Sequence, residues 1–346
     1  MINKIKNNIE KELPVFLAGL DKKYLLRQAS PVLFKCVSDF VLRKGKRARP
    51  ILFIIGYRGF SGRNPRGLYT SALSLEMLHD FMLVHDDIID KSLLRRGKPS
   101  MHKMLNDYLG KYQNAKFNGQ DLAIVSGDIM YAMGLEAFLS VEEDLRRKEN
   151  ALKKLIDAAV YTGCGEFIEL LYGIKDVSRI TKEDIYKIYD FKTAIYTFAA
   201  PLSMGAALAG AQETQADILF KYGIYLGRAF QIKDDVLGMF GNEKGIGKSI
   251  LTDLQEAKKT VLIWYAFNHS GRNARSEIKK ILSKEKISRV DLVAIRKIIT
   301  ASGALDFAKK EISGLISQAQ ALIKTSKMRT LYKEFLYSYA RQILSL

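Results

Sequence analysis

Residues 69–90 read YTSALSLEMLHDFMLVHDDIID, and this stretch decides the fold class. Leu73, Met77, Phe81 and Val84 recur at steps of three or four, which puts apolar side chains on one face of an α-helix. The helix runs into acids: Asp86 and Asp90 stand one turn apart on one face, with Asp87 flanking them. Outward from here the helical period holds nearly everywhere. Breaks fall at Gly62–Pro65, Gly97–Pro99, Lys116–Gly119, Gly173–Ser178 and Gly241–Gly247. No run of alternating β-branched residues lies between them, so an α/β fold lacks the strands it needs. Thr181, with Asp184 three residues on, predicts the N-cap of a helix reaching Phe198. Six prolines in 346 residues leave room for long uninterrupted helices. The expectation is an all-α chain, one domain over residues 1–346, with ten or more helices and no repeat of fixed period.

Fifty-five Lys and Arg against 37 Asp and Glu give a net charge of +18. Such an excess attracts nucleic acid, acidic lipid or phosphorylated small molecules, and charge alone does not choose among them. Cys36 and Cys164 lie far apart and outside any CxxC spacing, which reads as reduced structural thiols in a cytoplasmic protein. The first twenty residues carry two glutamates and no long apolar run, unlike a secretory signal. The longest apolar stretch, Phe198 to Ala211, is interrupted by Pro201 and short of the ~20 residues a membrane span needs.

The acids carry the chemistry. Three carboxylates as close as Asp86, Asp87 and Asp90 repel one another, and an apolar helix gathers them readily only around a cation. Oxygen ligands alone suit Mg²⁺, which binds through one or two carboxylates plus substrate phosphates. Taken singly the cluster could also be an exposed acidic helix end. A second cluster, Gln231-Ile-Lys-Asp234-Asp235-Val-Leu-Gly238, weakens that alternative. Two acidic helices facing one another would hold Mg²⁺ between them, with a diphosphate completing the coordination and leaving as a metal-clamped anion.

Basic groups surround these acids in sequence. Lys46 and Arg49, within Lys44-Gly-Lys-Arg-Ala-Arg-Pro50, share a helix face, and Arg95-Arg96-Gly97-Lys98 follows the first acidic motif. Each alone is a solvated basic patch; beside a metal-clamping motif they read as phosphate contacts, for which arginine forks are suited. His79 lies two turns before Asp86 on the same stripe, either a phosphate contact or an ordinary helix residue. Lys192, Thr193, Lys248 and Lys258 are further, weaker candidates. Residues 241–249 imitate a nucleotide-binding loop, but Asn242 stands where that motif needs glycine and no strand precedes it.

On these motifs the chain resembles the trans-isoprenyl diphosphate synthases, the polyprenyl synthetase family, and is similar to its archaeal-type geranylgeranyl members. The resemblance implies the isoprenoid synthase fold, a helix bundle around a central cavity. It assigns Lys46, Arg49, His79 and Arg96 to isopentenyl diphosphate. It assigns Arg95, Lys192 and Thr193 to the allylic diphosphate. Asp86, Asp90 and Asp234 would hold Mg²⁺. Gln231 opens the second acidic region, and Lys248 and Lys258 would close over the diphosphate. Ser126-Gly127-Asp128 matches a structural segment. Gly238 stands where many relatives carry a third aspartate, a mark of subtype. Ala257 stands where glycine is usual, and reads as a conservative change.

The implied reaction ionises an allylic diphosphate, adds the double bond of isopentenyl diphosphate to the cation and loses a proton. The catalytic set is then Asp86, Asp90, Asp234 and Lys192. Phe81, with Met82, would form the floor that sets product length, giving the C20 product. A farnesyl or longer-chain synthase is the alternative. A terpene cyclase would not need the second diphosphate site, and a non-enzymatic basic binder would not need paired acids, which repel nucleic acid. The resemblance also implies a homodimer. The basic surface leaves peripheral membrane contact open, without a transmembrane segment.

Overall fold

The structure is a computed structural model and describes residues 1–241 and 252–344. The chain forms two compact units: Met1–Leu152 with Met204–Gly210, and Lys153–Ser203 with the described residues from Ala211 onward. Both are helical, as the periodicity predicts.

In the first unit α1 (Ile2–Tyr24), the single turn α2 (Leu26–Ala29), α3 (Pro31–Val41), α4 (Ala48–Phe60), α5 (Leu68–Ile89), α6 (Met101–Leu109) and α7 (Gly119–Leu139) follow in order. Local chemistry sets their starts. Ser30 accepts from Leu33 N at 3.3 Å with Pro31 in the first turn, and Asn118 with Asp121 forms a capping box. Gly67 opens α5 at φ 76°, where a Cβ would lie 2.2 Å from Ser140 O. Leu73, Met77 and Val84 are fully buried, while Phe81 is only half-buried. The break at Gly97–Pro99 is a minimal β-hairpin, Leu94–Arg95 (β1) antiparallel to Lys98–Pro99 (β2). Arg96 and Gly97 at its tip both have positive φ, the tight turn that suits strand twist. Strands two residues long leave no alternation to read in the sequence.

α7 corrects the expectation about apolar length. It is the one helix among the described residues long and apolar enough to cross a membrane by composition, which the polar residues scattered along it conceal from a search for unbroken runs. It packs along α5, and 44% of its most apolar window is buried within the protein.

The second unit takes over within α8 (Leu145–Gly173) and continues through a 3₁₀ turn and α9 (Lys182–Ile188), whose capping box is Thr181 with Asp184. The helix runs on as expected, but Tyr189–Ala199 winds as a π-helix. α10 (Ala200–Leu208) returns the chain to the first unit, and α11 (Glu213–Phe240) runs beside the π-segment. Their approach depends on missing side chains: a Cβ on Gly223 would lie 2.3 Å from Ala199 Cα, and one on Gly227 would lie 2.3 Å from Ala194 Cβ. The turn α12 (Thr252–Gln255) and helices α13 (Val261–His269), α14 (Arg272–Leu282), α15 (Arg289–Ala301), α16 (Ala304–Lys324) and α17 (Thr330–Leu344) complete this unit. Both cysteines are free; Cys36 is buried, whereas Cys164 is exposed on α8 and so is not a core thiol.

Candidate active site

On the first unit α5 presents Glu76, His79, Asp80, Asp86 and Asp87, with Asp90 as its C-cap. Asp87 is fully buried, Asp86 half-buried. Arg95 on β1 closes over both: Nε donates to Asp87 Oδ1 at 2.8 Å, and Nη2 reaches that oxygen and Asp86 Oδ2, the latter at 3.1 Å. Burial opposes the charge on Arg95. The hydrogen bond to Asp87 and the charges of Asp87, Asp86 and Asp90 outweigh it and raise the guanidinium above its ordinary range. The arginine thus keeps the carboxylates together by partly neutralising them.

Arg96 turns the other way. Its Nη2 donates to Asp80 Oδ1 at 3.2 Å and lies 3.6 Å from Glu76 Oε1. Burial, reinforced by Glu76, holds the Asp80 carboxyl well above the usual carboxylate range. Arg47, fully buried, bonds to Glu10 and Glu76. His79 sits on the same stripe as expected. Burial first, then the charges of Arg49, Arg96, Arg95 and Arg47, keep its imidazole neutral far below the ordinary range. Lys46 precedes α4 and is exposed, so it does not share a helix face with Arg49, which is half-buried in the first turn of α4. The first unit therefore brings Arg49, His79, Arg95 and Arg96 into one electrostatic neighbourhood.

Behind the acids lies an aromatic group. The Phe81 ring is 4.6 Å from His85, edge to face, and 5.4 Å from Tyr131 of α7. Gly127 gives His85 its place, since a Cβ there would lie 2.7 Å from Nε2. Met82 beside it is half-buried.

The second unit carries the other set on the π-segment and α11. Thr193 Oγ1 donates to Gln231 Oε1 at 2.8 Å, and Gln231 Nε2 to Asp235 Oδ1 at 3.0 Å. Tyr189 donates its hydroxyl to Asp235 and accepts from Val261 N at 3.0 Å. Burial, then the Asp235 charge, pushes that phenol well above its usual range. Asp235 is buried inside this network, whereas Asp234 next to it is exposed. Lys192 Nζ lies 2.5 Å from both Glu166 and Glu169 of α8. Arg228 grips Asp190 with two bonds of 2.6 Å, the fork geometry arginine favours. Lys258 pairs with Glu256 at 2.7 Å. Lys248 lies outside the described residues, as does most of the loop that imitates a nucleotide-binding motif. Ala257 has φ 51°, so the exchange for glycine is not conservative: it puts a Cβ in left-handed backbone.

Sequence reasoning missed Glu10, Arg47, Asp80, Glu166, Glu169, Tyr189, Arg228 and the separate role of Asp235. Arg47 lay inside a quoted motif without a role, and only the Gly223-x-x-x-Gly227 spacing hinted at the close helix pair. The others have no local signature, because their partners are distant in sequence.

Carboxylates set beside arginine forks and lysines suit an enzyme that handles phosphorylated substrates. Residues 30–299 match the family model of polyprenyl synthetase. The chain is 30% identical over 311 residues to a geranylgeranyl diphosphate synthase of Sulfolobus acidocaldarius, covering 88% of this chain and 85% of that one. It is 31% identical over 283 residues to a geranylfarnesyl diphosphate synthase of Aeropyrum pernix, covering 81% and 83%. A geranylgeranyl pyrophosphate synthase of Corynebacterium glutamicum, solved with isoprenyl diphosphate and magnesium, superposes with a TM-score of 0.89 at 26% identity, covering 100% and 99%. The chain belongs to the polyprenyl synthetase family and is a trans-prenyltransferase.

Proposed function

We propose that the enzyme condenses isopentenyl diphosphate with an allylic diphosphate and releases geranylgeranyl diphosphate, acting as one catalytic domain over residues 1–346. The observation that carries this reading is the first unit's arrangement, with Asp86 and Asp87 under Arg95 while Arg96 and Arg49 form a second cationic set around neutral His79 of the same acidic helix. Two cationic sets suit two diphosphates; a terpene cyclase needs one.

The donors fit Mg²⁺. They are all carboxylate oxygens, and Asp86 and Asp90 are one helical turn apart. Mg²⁺ takes one or two protein carboxylates and fills its shell with water and phosphate. Asp86, Asp90 and the exposed Asp234 are the carboxylates that would hold the ions. Bound there, Mg²⁺ supplies charge that stabilises the departing diphosphate.

The protein's own groups do the rest. Arg95, Lys192, Thr193 and Lys258 bind the allylic diphosphate, with Gln231 orienting Thr193 and Lys248 completing the set. As the C–O bond breaks, the electron pair leaves with the diphosphate and these cations stabilise it. Lys46, Arg49, His79 and Arg96 orient isopentenyl diphosphate so that its double bond attacks the allylic carbon. A proton is then lost to the released diphosphate. His79, kept neutral, donates a hydrogen bond to phosphate rather than acting as base.

Phe81 supports the C20 product, because its ring is fixed between His85 and Tyr131 five residues before Asp86. The similarity to a geranylfarnesyl synthase favours C25 as the second reading. A cytoplasmic homodimer is part of the proposal. On α8 and just beyond it, exposed Ile156, Val160, Phe167, Leu171 and Ile174 recur at helical spacing, an apolar stripe that a second copy would cover. Sedimentation at two concentrations tests it.

The decisive assay combines purified enzyme, labelled isopentenyl diphosphate, allylic primers and Mg²⁺, followed by chromatography of the dephosphorylated products. Asp86→Asn or Asp90→Asn should lower turnover by orders of magnitude with the fold retained. EDTA should stop the reaction and Mg²⁺ restore it. Turnover unaltered by either substitution removes the metal assignment.

A further inference from the structure

We propose that Arg47, anchored by Glu10 of the N-terminal helix, is a positioning residue for the isopentenyl diphosphate half of the reaction. The proposal rests on the reading of Lys46, Arg49, His79 and Arg96 given above.

Arg47 stands between two residues assigned to substrate, yet its side chain is fully buried whereas Lys46 is exposed and Arg49 half-buried. The backbone explains the divergence. Arg47 has φ 53° and ψ 34° as the residue entering α4, left-handed geometry that non-glycine residues rarely adopt. That turn sends the guanidinium inward.

There all three nitrogens of the fork donate. Nε donates to Glu10 Oε1 at 2.9 Å and Nη1 to Glu76, while Nη2 donates to Val41 O at 3.2 Å and Arg43 O at 2.7 Å. Val41 is the last residue of α3, where helix carbonyls lack intrahelical donors, and Arg43 lies two residues past it. Glu76 lies one turn before Asp80 on α5 and is also near Arg96. One buried cation therefore ties α1, the end of α3, the start of α4 and α5 together. Gly45 packs against it: a Cβ there would lie 3.6 Å from Arg47 Nη1 and 3.7 Å from Arg96 Cζ. Glu10, Arg47, Glu76, Arg96 and Asp80 alternate acid and base, running from α1 through the hairpin tip and back to α5.

Displacing this guanidinium moves the loop that carries Lys46 and the helix turn that carries Arg49, and it changes what holds Arg96. Of the groups assigned to the allylic diphosphate, Arg95 has its own supports in Asp86 and Asp87, and Lys192 and Thr193 have theirs in Glu166, Glu169 and Gln231. The effect should therefore fall on one substrate. Glu10 lies outside residues 30–299, the span that the family model matches.

The test measures KM for each substrate, kcat and the thermal midpoint for Glu10→Gln, Arg47→Lys and, as a reference, Lys46→Ala. Glu10→Gln should raise KM for isopentenyl diphosphate about fivefold, roughly what weakening one charge-assisted hydrogen bond produces, with allylic KM and kcat within about twofold. Arg47→Lys cannot reproduce the fork and should exceed tenfold; if it fails to fold, Glu10→Gln alone carries the test. Glu10→Asp, which keeps the charge, should recover part of the loss. A lowered midpoint in Glu10→Gln with both KM values unchanged makes Arg47 structural only and overturns the proposal, provided Lys46→Ala raises KM for isopentenyl diphosphate. An unchanged KM in Lys46→Ala overturns the underlying site assignment instead.

Discussion

Gly227→Ala should damage the enzyme, although a helix interior ordinarily gains from this exchange. Replacing glycine by alanine inside an α-helix stabilises it by about 1 kcal/mol. At Gly227 the new methyl would lie 2.3 Å from Ala194 Cβ and 2.4 Å from Ala194 Cα. Since ordinary contact begins at 3.4 Å, α11 and the π-segment must separate by about 1 Å, and overpacking of this kind costs about 1–3 kcal/mol. Ala194 follows Thr193, and Gln231 lies one turn beyond Gly227, so the separation opens the 2.8 Å bond between them. Losing it adds about 1 kcal/mol. The net expectation is a loss of roughly 1–3 kcal/mol in denaturant unfolding, with turnover down tenfold or more because a 1 Å misplacement near the chemistry is costly. Gly314 on α16 is the control, since nothing lies within 4 Å of its Cβ position and Gly314→Ala should stabilise by about 0.5–1 kcal/mol. If Gly227→Ala proves as stabilising as Gly314→Ala with normal turnover, the close packing of α11 on the π-segment is wrong.

Phe81→Ala should shift the product profile to C25 and longer, read by chromatography of dephosphorylated products. The same C20 product from an active variant removes Phe81 as the floor. Ala257→Gly should relieve the left-handed strain and raise stability by about 1 kcal/mol in denaturant melts; a loss of stability would contradict it. His79 is held neutral well below the value of 6.5 that it has when unfolded. Falling pH therefore protonates the unfolded chain first, and the His79 contribution to stability, complete above about pH 6.5, is lost progressively below it. The stability difference between wild type and His79→Gln, measured from pH 7.5 to 5.5, should decline toward the acid end, and a flat difference refutes the burial argument.

The helices were legible because apolar residues recur at helical spacing, as Leu73, Met77 and Val84 do in α5, although that helix is buried on every side from Ser71 to Leu78. The acidic pairs were legible because like charges one turn apart need compensation. What compensates them was not legible. Asp86 and Asp87 meet Arg95 through a hairpin too short to leave an alternating pattern, and Asp235 meets Tyr189 from another helix. The π-winding of Tyr189–Ala199 left no mark either, since a run without glycine or proline is compatible with either winding. It nonetheless falls on the segment that presents Lys192 and Thr193, and π-helical turns often occur at functional sites.

The same distinction explains why the motif residues divide as they do. In each acidic pair one carboxylate is buried and bonded while its neighbour stays more open: Asp87 beneath Arg95 with Asp86 beside it, and Asp235 within the Tyr189 and Gln231 network with Asp234 exposed. A buried carboxylate without such partners would be strongly destabilising, and a fully engaged one is poorly available to a cation. Adjacent aspartates on a helix point in directions about 100° apart, so one can secure the helix while the other faces ligand. On the proposed reading, the paired motif carries two functions side by side. Substituting Asp235 by Asn should accordingly disturb folding and Thr193 placement more than metal affinity, and Asp234→Asn the reverse, a contrast that unfolding curves and Mg²⁺ titrations of activity can read separately.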